Sequence, residues 1–231
     1  IGRNTFRPSR RGTPPACARC LKTAEKGRPR LKTLTVHASE TYDILIGENI
    51  LASALARFAG SGRFCLVTDS NVEPLYGDLV RGLLKAHGSV SGFTFPAGEP
   101  SKTLGTFSLL LEHLASAGLT RSDTVVALGG GVTGDLAGFA ASCYLRGVRV
   151  LQIPTTLLAM IDSSVGGKTG VDLKAGKNLA GTFWQPAAVI ADTALLSTLD
   201  KDVFADGMAE AVKYGMIGSE ELFGEIERGH P

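Results

Sequence analysis

Short apolar runs alternate with longer amphipathic segments along the chain from Leu31 onward. Compact runs rich in β-branched residues predict strands, and the amphipathic segments between them predict helices. Strands are expected at residues 34–36, 42–46, 64–67, 93–95, 124–128, 148–153 and 188–191. Helices are expected at residues 49–58, 74–86, 101–117, 135–143 and 157–161, with Ser101 as an N-cap.

Strands separated by helices of this length indicate an α/β fold, a Rossmann-like parallel sheet with helices on both faces. Such sheets bind ligands beyond the carboxyl ends of their strands. That rule places residues 69–71, 129–135 and 154–156 along one rim. The pattern relaxes into a glycine-rich stretch at residues 170–181.

The C-terminal part of the sequence has helical periodicity at residues 203–216 and 220–227. It predicts the start of an all-helical C-terminal domain, too short to bury a core of its own. The expected organisation is a disordered basic tail (1–30), a nucleotide-binding α/β domain (31–197) and the beginning of the helical domain (198–231).

The net charge of +2 conceals two regions of opposite sign. Residues 1–30 hold nine Arg or Lys against one acid, so the remaining residues are mildly acidic. Basicity confined to a tail argues against nucleic-acid binding. The tail resembles a transit peptide, which would place the protein in a plastid, but a segment translated from upstream of the true start explains it equally well. We favour the second origin and a cytoplasmic protein.

The four cysteines do not form a recognisable metal or redox site. Cys17 and Cys20 make a CxxC in the tail, but no second pair or histidine lies nearby, which favours a chance pair. Cys65 and Cys143 are expected to be reduced, buried thiols. No stretch is apolar enough to span a membrane, so no membrane partner is expected.

A glycine loop at residues 129–134 fits G-x-G-x-x-G between a predicted strand and a predicted helix. Glycines there let the backbone approach a pyrophosphate at a helix N-terminus. The acidic residue expected at the end of the next strand is absent, since that strand runs into Pro154 and Thr155. Asp69, at an earlier strand end, could hold a ribose instead, and its alternative role is an Asx turn or helix cap.

Residues 162–169 resemble a Walker A loop, but Asp162 stands where the first glycine is required. A carboxylate there would repel phosphate, which disfavours a P-loop NTPase. Lys168 could still bind a phosphate or carboxylate as a point charge.

Asp206, Glu210 and Lys213 share one face of a predicted helix, with Met208 and Val212 on the other. This spacing is typical of a solvated ion-pair face, although a glutamate beside a lysine could also ligate a cation. None of the four histidines has metal-ligand spacing with Glu210, so the chain does not carry a complete metal site by itself.

Several ordered blocks together resemble the 3-dehydroquinate synthase family over residues 34–227. They are Leu128-Gly-Gly-Gly-Val-Thr-Gly-Asp135, Tyr144-Leu-Arg-Gly147, Gln152-Ile-Pro-Thr-Thr-Leu-Leu-Ala-Met-Ile-Asp-Ser-Ser-Val-Gly-Gly-Lys168, Gly176-Lys-Asn178 and Gly207-Met-Ala-Glu-Ala-Val-Lys-Tyr214. The resemblance implies a homodimeric lyase that uses NAD and a divalent metal, zinc or cobalt. Its substrate would be the sugar acid phosphate DAHP (3-deoxy-D-arabino-heptulosonate 7-phosphate), converted to 3-dehydroquinate in the shikimate pathway.

The resemblance also assigns roles position by position. Positions facing the adenosine half of NAD are Asp69, Ser70, Asn71, Glu99 and Lys102. Positions on the phosphate and nicotinamide side are Gly130, Gly131, Val132, Asp135, Thr155 and Thr156, and further NAD positions are Lys177 and Thr198. Substrate positions are Arg146, Asp162, Lys168, Asn178 and Lys213. Glu210 matches one metal ligand, and two histidine ligands are expected outside this chain.

Two rivals within the same superfamily stay open. Another sugar phosphate cyclase, such as a 2-deoxy-scyllo-inosose synthase, would share fold and cofactors, but Asn178 and Arg146 favour a substrate with a carboxylate. A metal-dependent polyol dehydrogenase is disfavoured by the loop at residues 163–168. In the family's chemistry NAD transiently oxidises a hydroxyl that the metal polarises, and phosphate then leaves by elimination. The protein mainly fixes geometry and charge.

Overall fold

The computed structural model describes residues 31–229 and contains nine strands in that range. The predicted basic tail and its Cys17–Cys20 pair lie outside the described residues. The strands are β1 (Lys32–His37), β2 (Thr41–Gly47), β3 (Gly62–Asp69), β4 (Gly88–Phe95), β5 (Thr124–Gly129), β6 (Arg149–Pro154), β7 (Lys168–Leu173), β8 (Gly176–Phe183) and β9 (Ala188–Asp192).

Seven of these strands form one sheet in the order β1-β2-β9-β6-β5-β3-β4. All neighbours pair in parallel except β1, which runs antiparallel to β2 at one edge. Every residue of the interior strand β5 is buried, as expected for a parallel strand covered on both faces. The predicted α/β class is therefore confirmed.

Six α-helices occur among the described residues, and the first four cover the sheet. They are α1 (Leu51–Phe58), α2 (Asp78–Lys85), α3 (Leu104–Ser116), α4 (Gly131–Cys143), α5 (Lys201–Gly218) and α6 (Glu220–Glu227). One apolar cluster joins α1 and α2 to the sheet through residues such as Leu55 and Leu84. A second cluster joins α3 and α4 to the opposite face through Leu110 and Leu136. Helices on both faces are thus confirmed.

The predicted N-cap Ser101 is wrong. Ser101 belongs to a 3₁₀ turn, Glu99–Ser101, and its hydroxyl donates to the Pro96 carbonyl oxygen at 2.5 Å. Thr103 caps α3 instead, accepting the backbone N–H of Thr106 at 3.2 Å. Both hydroxyl residues precede the apolar run, so the sequence alone did not separate them.

The glycine-rich stretch forms a separate antiparallel hairpin of β7 and β8. Gly170 and Gly181 face each other in this hairpin, where a Cβ on Gly170 would lie 2.7 Å from the Ala180 carbonyl oxygen. The hairpin packs against α4 at Gly138, where a Cβ would lie 2.5 Å from Thr169 Cγ2. Glycine here permits close packing of the two hairpin strands and of the hairpin on α4.

Helix α5 contacts the helical turn Ala159–Ser163 that follows β6, and α6 contacts α5. Asp200 caps α5, accepting the N–H of Asp202 at 2.8 Å. The predicted domain boundary at residue 197 stays a prediction. Within residues 31–229 no helix has both the length and the apolar character needed to cross a bilayer.

Candidate active site

A cavity of about 560 Å³ opens at the carboxyl ends of β3, β5 and β6, where the sequence places its glycine loop. Parallel strands end at a common edge, so the loops that follow them meet there. The predicted nucleotide residues that line this cavity are Asp69, Asn71, Gly130, Gly131, Val132, Thr155, Thr156 and Thr198. The structure therefore brings together eight residues separated by up to 129 positions in the sequence.

The glycine loop forms the floor of this cavity at the N-terminus of α4. A Cβ on Gly130 would lie 3.2 Å from Thr156 Cγ2, and one on Gly131 would lie 3.0 Å from Ser163 Oγ. Side chains at these positions would crowd the cavity wall, whereas glycine leaves the backbone N–H groups of the first helical turn accessible. Those groups and the helix dipole favour an anionic ligand, so the site fits a pyrophosphate.

Asp69 forms an Asx turn, which is the structural role considered for it above, and it also lines the cavity. Its Oδ1 accepts the backbone N–H groups of Asn71 at 2.9 Å and Val72 at 3.1 Å, which makes an Asx turn. Its Oδ2 accepts the hydroxyl of Thr133 at 3.3 Å. Thr133 lines the cavity but was not among the predicted residues, although it lies inside the glycine motif.

The far wall of the cavity is formed by the segment after β9. The hydroxyl of Tyr76 donates to the Leu195 carbonyl oxygen at 3.1 Å and lies 2.6 Å from the hydroxyl oxygen of Thr198. Tyr76 and Asp206 also line this cavity, although neither was predicted to contact the nucleotide. Tyr76 lies in an ordinary amphipathic segment, so no pattern in the sequence distinguishes it.

A second cavity of about 430 Å³ lies between α4 and the β7–β8 hairpin. It is lined by three predicted substrate residues, Asp162, Lys168 and Asn178, together with Asp135. The Lys168 ammonium donates to Asp162 Oδ1 at 2.9 Å, and the Tyr214 hydroxyl approaches the same oxygen at 3.5 Å. Lys168 opens a strand, whereas a P-loop lysine enters a helix, so the Walker A alternative is excluded.

Behind this second cavity Lys102 is buried, with 4% of the residue exposed. Its ammonium donates to Asp135 Oδ2 and to Asn178 Oδ1, each at 2.5 Å. Burial raises the pKa of Asp135, and the hydrogen bond and charge of Lys102 oppose that rise. Asp135 is a predicted nucleotide residue and Asn178 a predicted substrate residue, so Lys102, also predicted on the nucleotide side, contacts both sets.

Glu210 and Lys213 form an ion pair on α5. The Lys213 ammonium also lies 4.9 Å from the centre of the Tyr214 ring. Among residues 31–229 no three His, Cys, Asp or Glu side chains are grouped so as to hold a metal ion. Residues 31–229 therefore do not by themselves fit a complete metal site.

The remaining predicted residues lie apart from the two cavities. Arg146 follows the opposite end of α4 from the glycine loop, in a 3₁₀ turn with a positive φ of 66°. None of the ion pairs within the described residues involves Arg146. Glu99 and Lys177 pair with each other at 3.1 Å on the surface, and Ser70 accepts the N–H of Ala97 at 3.0 Å.

Comparison with known proteins is consistent across sequence and structure. A family model described as 3-dehydroquinate synthase N-terminal matches residues 92–206. The chain is 47% identical over 186 residues to the 3-dehydroquinate synthase of Alkaliphilus metalliredigens, covering 80% of this chain and 52% of that protein. It is 49% identical over 193 residues to that of Symbiobacterium thermophilum, covering 81% and 54%. The chain spans about half the length of the curated relatives it matches.

Solved structures show the same fold. A 2-deoxy-scyllo-inosose synthase complexed with carbaglucose-6-phosphate, NAD⁺ and Co²⁺ superposes with a TM-score of 0.76 at 33% identity, covering 80% of this chain and 52% of the other. ValA, a 2-epi-5-epi-valiolone synthase from Streptomyces hygroscopicus with NAD⁺ and Zn²⁺ bound, gives 0.77 at 33% identity, covering 85% and 55%. An iron-containing alcohol dehydrogenase shares only the fold, with a TM-score of 0.64 at 19% identity over 75% of this chain and 52% of the other.

Proposed function

Because the chain belongs to the 3-dehydroquinate synthase family, we propose that it carries the nucleotide-binding part of a lyase that converts DAHP to 3-dehydroquinate and phosphate. The observation that supports this most is the adjacency of two cavities along α4. One ends at a glycine loop suited to a pyrophosphate, and the other contains charged groups suited to an anionic sugar acid.

NAD fits the first cavity through the residues already in place. The first turn of α4 would hold the pyrophosphate, Thr155 and Thr156 would lie on the phosphate and nicotinamide side, and the Asx turn at Asp69 would face the ribose. When bound, NAD supplies a hydride acceptor and donor. The chain itself fixes where the nucleotide lies relative to the second cavity.

In the second cavity the side chains would bind and orient the substrate, and none of the residues that line it is a histidine that could act as a base. Lys168 would hold a phosphate or carboxylate with its ammonium, since its present partner Asp162 leaves two of its three protons available. Asp162, held by Lys168 and Tyr214, can accept a substrate hydroxyl. Fixing charge and geometry in this way is sufficient if the substrate's own phosphate removes the proton during the elimination.

For the divalent metal, zinc or cobalt, we propose Glu210 as one ligand. A complete site would need ligands from beyond residues 31–229, because the described residues do not supply three. No step assigned here to Lys168 or Asp162 depends on the metal. A homodimer in the cytoplasm is proposed from family membership, and light scattering of the complete protein tests the dimer.

The activity is tested with the complete protein, assayed for phosphate release and for 3-dehydroquinate. DAHP and glucose 6-phosphate are compared with NAD and zinc present. We expect turnover with DAHP and none with glucose 6-phosphate. The reverse preference would replace this proposal with a 2-deoxy-scyllo-inosose synthase, and net NADH accumulation with a polyol would replace it with a dehydrogenase.

Lys168→Ala should lower kcat/KM for DAHP by roughly 10- to 150-fold, the equivalent of a charge-assisted hydrogen bond of about 1.5–3 kcal/mol. The matched control is Lys85→Ala at the exposed end of α2, which should leave the kinetics unchanged. Steady-state kinetics of the two variants decide the role. Equal values for Lys168→Ala and the wild type would remove Lys168 from the substrate site.

A further inference from the structure

Tyr76 joins two walls of the nucleotide cavity. It lies in the helical turn Glu73–Gly77 that follows β3, and its hydroxyl reaches the 3₁₀ turn Thr193–Thr198 that follows β9. Within residues 31–229 both hydrogen bonds between these two turns use that hydroxyl. The Tyr76 ring is half-buried against the first apolar cluster, to which Leu195 belongs. Packing of the ring therefore fixes the position of the hydroxyl.

The hydrogens of the two hydroxyls can be assigned from the geometry. A tyrosine or threonine hydroxyl has one hydrogen to donate and lone pairs to accept. The Tyr76 hydrogen goes to the Leu195 carbonyl oxygen at 3.1 Å, so the 2.6 Å contact between Tyr76 and Thr198 uses the hydrogen of Thr198. In the reverse arrangement Thr198 would donate to the same carbonyl oxygen at 3.5 Å, a poorer hydrogen bond. In both arrangements the hydrogen of Thr198 is used inside the protein.

Thr198 therefore faces the cavity as an acceptor. The residue is exposed and lines the nucleotide cavity, and the hydrogen bonds of residues 31–229 leave a lone pair on its hydroxyl oxygen unused. A lone pair accepts from an N–H or O–H group and repels an ionised phosphate oxygen, which can only accept. Nucleotides carry their donors on the base and the ribose. The ligand group that fits Thr198 is thus a hydroxyl or amino group of a nucleoside.

The hydroxyl of Tyr76 is also fixed relative to the glycine loop. The N–H of Tyr76 donates to the Val72 carbonyl oxygen at 3.0 Å, and the N–H of Val72 donates to Asp69 Oδ1 at 3.1 Å. The other carboxylate oxygen of Asp69 accepts the hydroxyl of Thr133, in the first turn of α4, at 3.3 Å. These contacts connect the N-terminus of α4 to Thr198. The protein therefore sets the distance from the pyrophosphate site to the acceptor before a nucleotide binds.

We propose that Tyr76 is a positioning residue for the nucleotide: its hydroxyl takes the hydrogen of Thr198, so that the Thr198 oxygen accepts a hydroxyl or amino group of the bound nucleoside. That the nucleotide is NAD rests on the proposed function. Holding the acceptor in place before binding lowers the entropy that is lost when the nucleotide binds. The effect of Tyr76 passes through Thr198, so it acts on binding of the nucleotide and not on a chemical step.

The first test is a double-mutant cycle on NAD affinity, measured by calorimetry on the complete protein after bound nucleotide has been removed. Tyr76→Phe and Thr198→Val should each raise the NAD dissociation constant by about 3- to 10-fold, the range expected for one neutral hydrogen bond. Added to Thr198→Val, the change Tyr76→Phe should cost at most about 1.5-fold more. Thr198→Ser keeps the hydroxyl and should stay within about twofold of the wild type. Additive effects, or an unchanged affinity for Tyr76→Phe, would overturn the proposal.

Tyr144→Phe is the matched control. The Tyr144 hydroxyl also contacts backbone carbonyl oxygens, those of Leu114 at 3.3 Å and Leu119 at 2.9 Å, but Tyr144 is not among the residues that line the nucleotide cavity. Both phenylalanine variants lose a hydroxyl hydrogen bond, so both should lower the melting temperature measured without NAD. Only Tyr76→Phe should change the NAD affinity. An equal loss of affinity in Tyr144→Phe would show that general destabilisation is the cause and would contradict the proposal.

A crystal structure of the complete protein with NAD tests the polarity of Thr198. We expect a ribose hydroxyl or a base amino group within about 3.2 Å of the Thr198 hydroxyl oxygen, with the Tyr76 hydroxyl still on the Leu195 carbonyl oxygen. A phosphate oxygen in that place, or no nucleotide atom there, would show that Thr198 does not serve as the acceptor and would overturn the proposal.

Steady-state kinetics with DAHP separate binding from chemistry. Tyr76→Phe should raise the apparent KM for NAD and leave kcat at saturating NAD within about twofold of the wild type. A lower kcat with an unchanged KM would contradict the positioning role. If the wild type binds NAD but does not convert DAHP, the proposed function fails and the calorimetric cycle still decides the role of Tyr76. A wild type that binds no NAD would overturn both.

Discussion

At the scale of single residues, Asp123 connects two loops at the amino ends of β3 and β5. Its carboxylate accepts the N–H of Arg63 at 2.7 Å, and the N–H and hydroxyl of Thr120 at 2.6 and 2.9 Å. Burial opposes ionisation of Asp123, but these hydrogen bonds together lower its pKa. A pKa below the unfolded value means that the ionised form is bound more strongly in the folded protein. This stabilisation is present above about pH 4 and is lost as the pH falls through the folded pKa.

Asp123→Asn should therefore destabilise the protein at neutral pH by roughly 1–3 kcal/mol, because the amide replaces one acceptor oxygen with a donor. The difference from the wild type should shrink as the pH falls below about 4. Urea unfolding at a series of pH values measures both effects. Asp78→Asn, whose side chain is fully exposed, is the control. A difference that grows on acidification would contradict the assigned role.

The residue-scale predictions from the sequence differ in what supported them. Glycine at 130 and 131 was expected from the need for close backbone approach, and both residues line the nucleotide cavity. The Asx turn at Asp69 was offered as one of two roles, and the structure shows it. The contact of Lys102 with Asn178 joins residues 76 positions apart, and no local pattern encodes such a pairing. The roles assigned to the site residues stay predictions.

At the scale of elements, Gly207 determines how closely α5 packs on the turn after β6. A Cβ there would lie 2.6 Å from the Leu157 Cβ and 2.8 Å from the Leu158 backbone nitrogen. The second contact is with backbone, which cannot rotate away. The glycine therefore permits an approach that any other residue would prevent.

Gly207→Ala should lower the melting temperature, because overpacking of this kind costs about 1–3 kcal/mol. Gly82→Ala is the matched control: it lies in α2 with nothing within 4 Å of its added Cβ, and it should be neutral or stabilising by about 0.5–1 kcal/mol. Differential scanning calorimetry of both variants separates packing from helix propensity. An unchanged melting temperature for Gly207→Ala would show that α5 can shift at no cost.

Elements with a clear apolar pattern were predicted well, and the β7–β8 hairpin was not. Residues 188–191 form an uninterrupted apolar run, and the strand that contains them, β9, lies in the sheet as expected. The β7–β8 hairpin is rich in glycine and has exposed positions such as Leu179 and Phe183, so it lacks the alternation that identifies a strand. Its pairing depends on packing against α4, a tertiary contact that periodicity does not report.

At the scale of the whole molecule, residues within 31–229 line the nucleotide cavity, whereas no three His, Cys, Asp or Glu side chains in that range are grouped so as to hold a metal ion. The purified 231-residue chain should therefore bind NAD weakly, hold no zinc tightly and form no 3-dehydroquinate. Calorimetry with NAD and with zinc, followed by the DAHP assay, measures all three. The zinc titration is repeated with Cys17→Ser and Cys20→Ser to remove the CxxC pair. One tightly held zinc per chain in that background would contradict the prediction.

The Asx turn at Asp69 has a consequence for engineering the nucleotide preference of this protein. A designer who wished to admit a nucleotide with a 2′-phosphate would first replace the acid expected to face the ribose. Here that replacement would also release the N–H groups of Asn71 and Val72 and the hydroxyl of Thr133. Selectivity and backbone shape are linked at this position. Variants at residue 69 should therefore keep a side-chain hydrogen-bond acceptor, as asparagine does. The cationic residue that would bind the 2′-phosphate should be introduced at another position on the cavity wall.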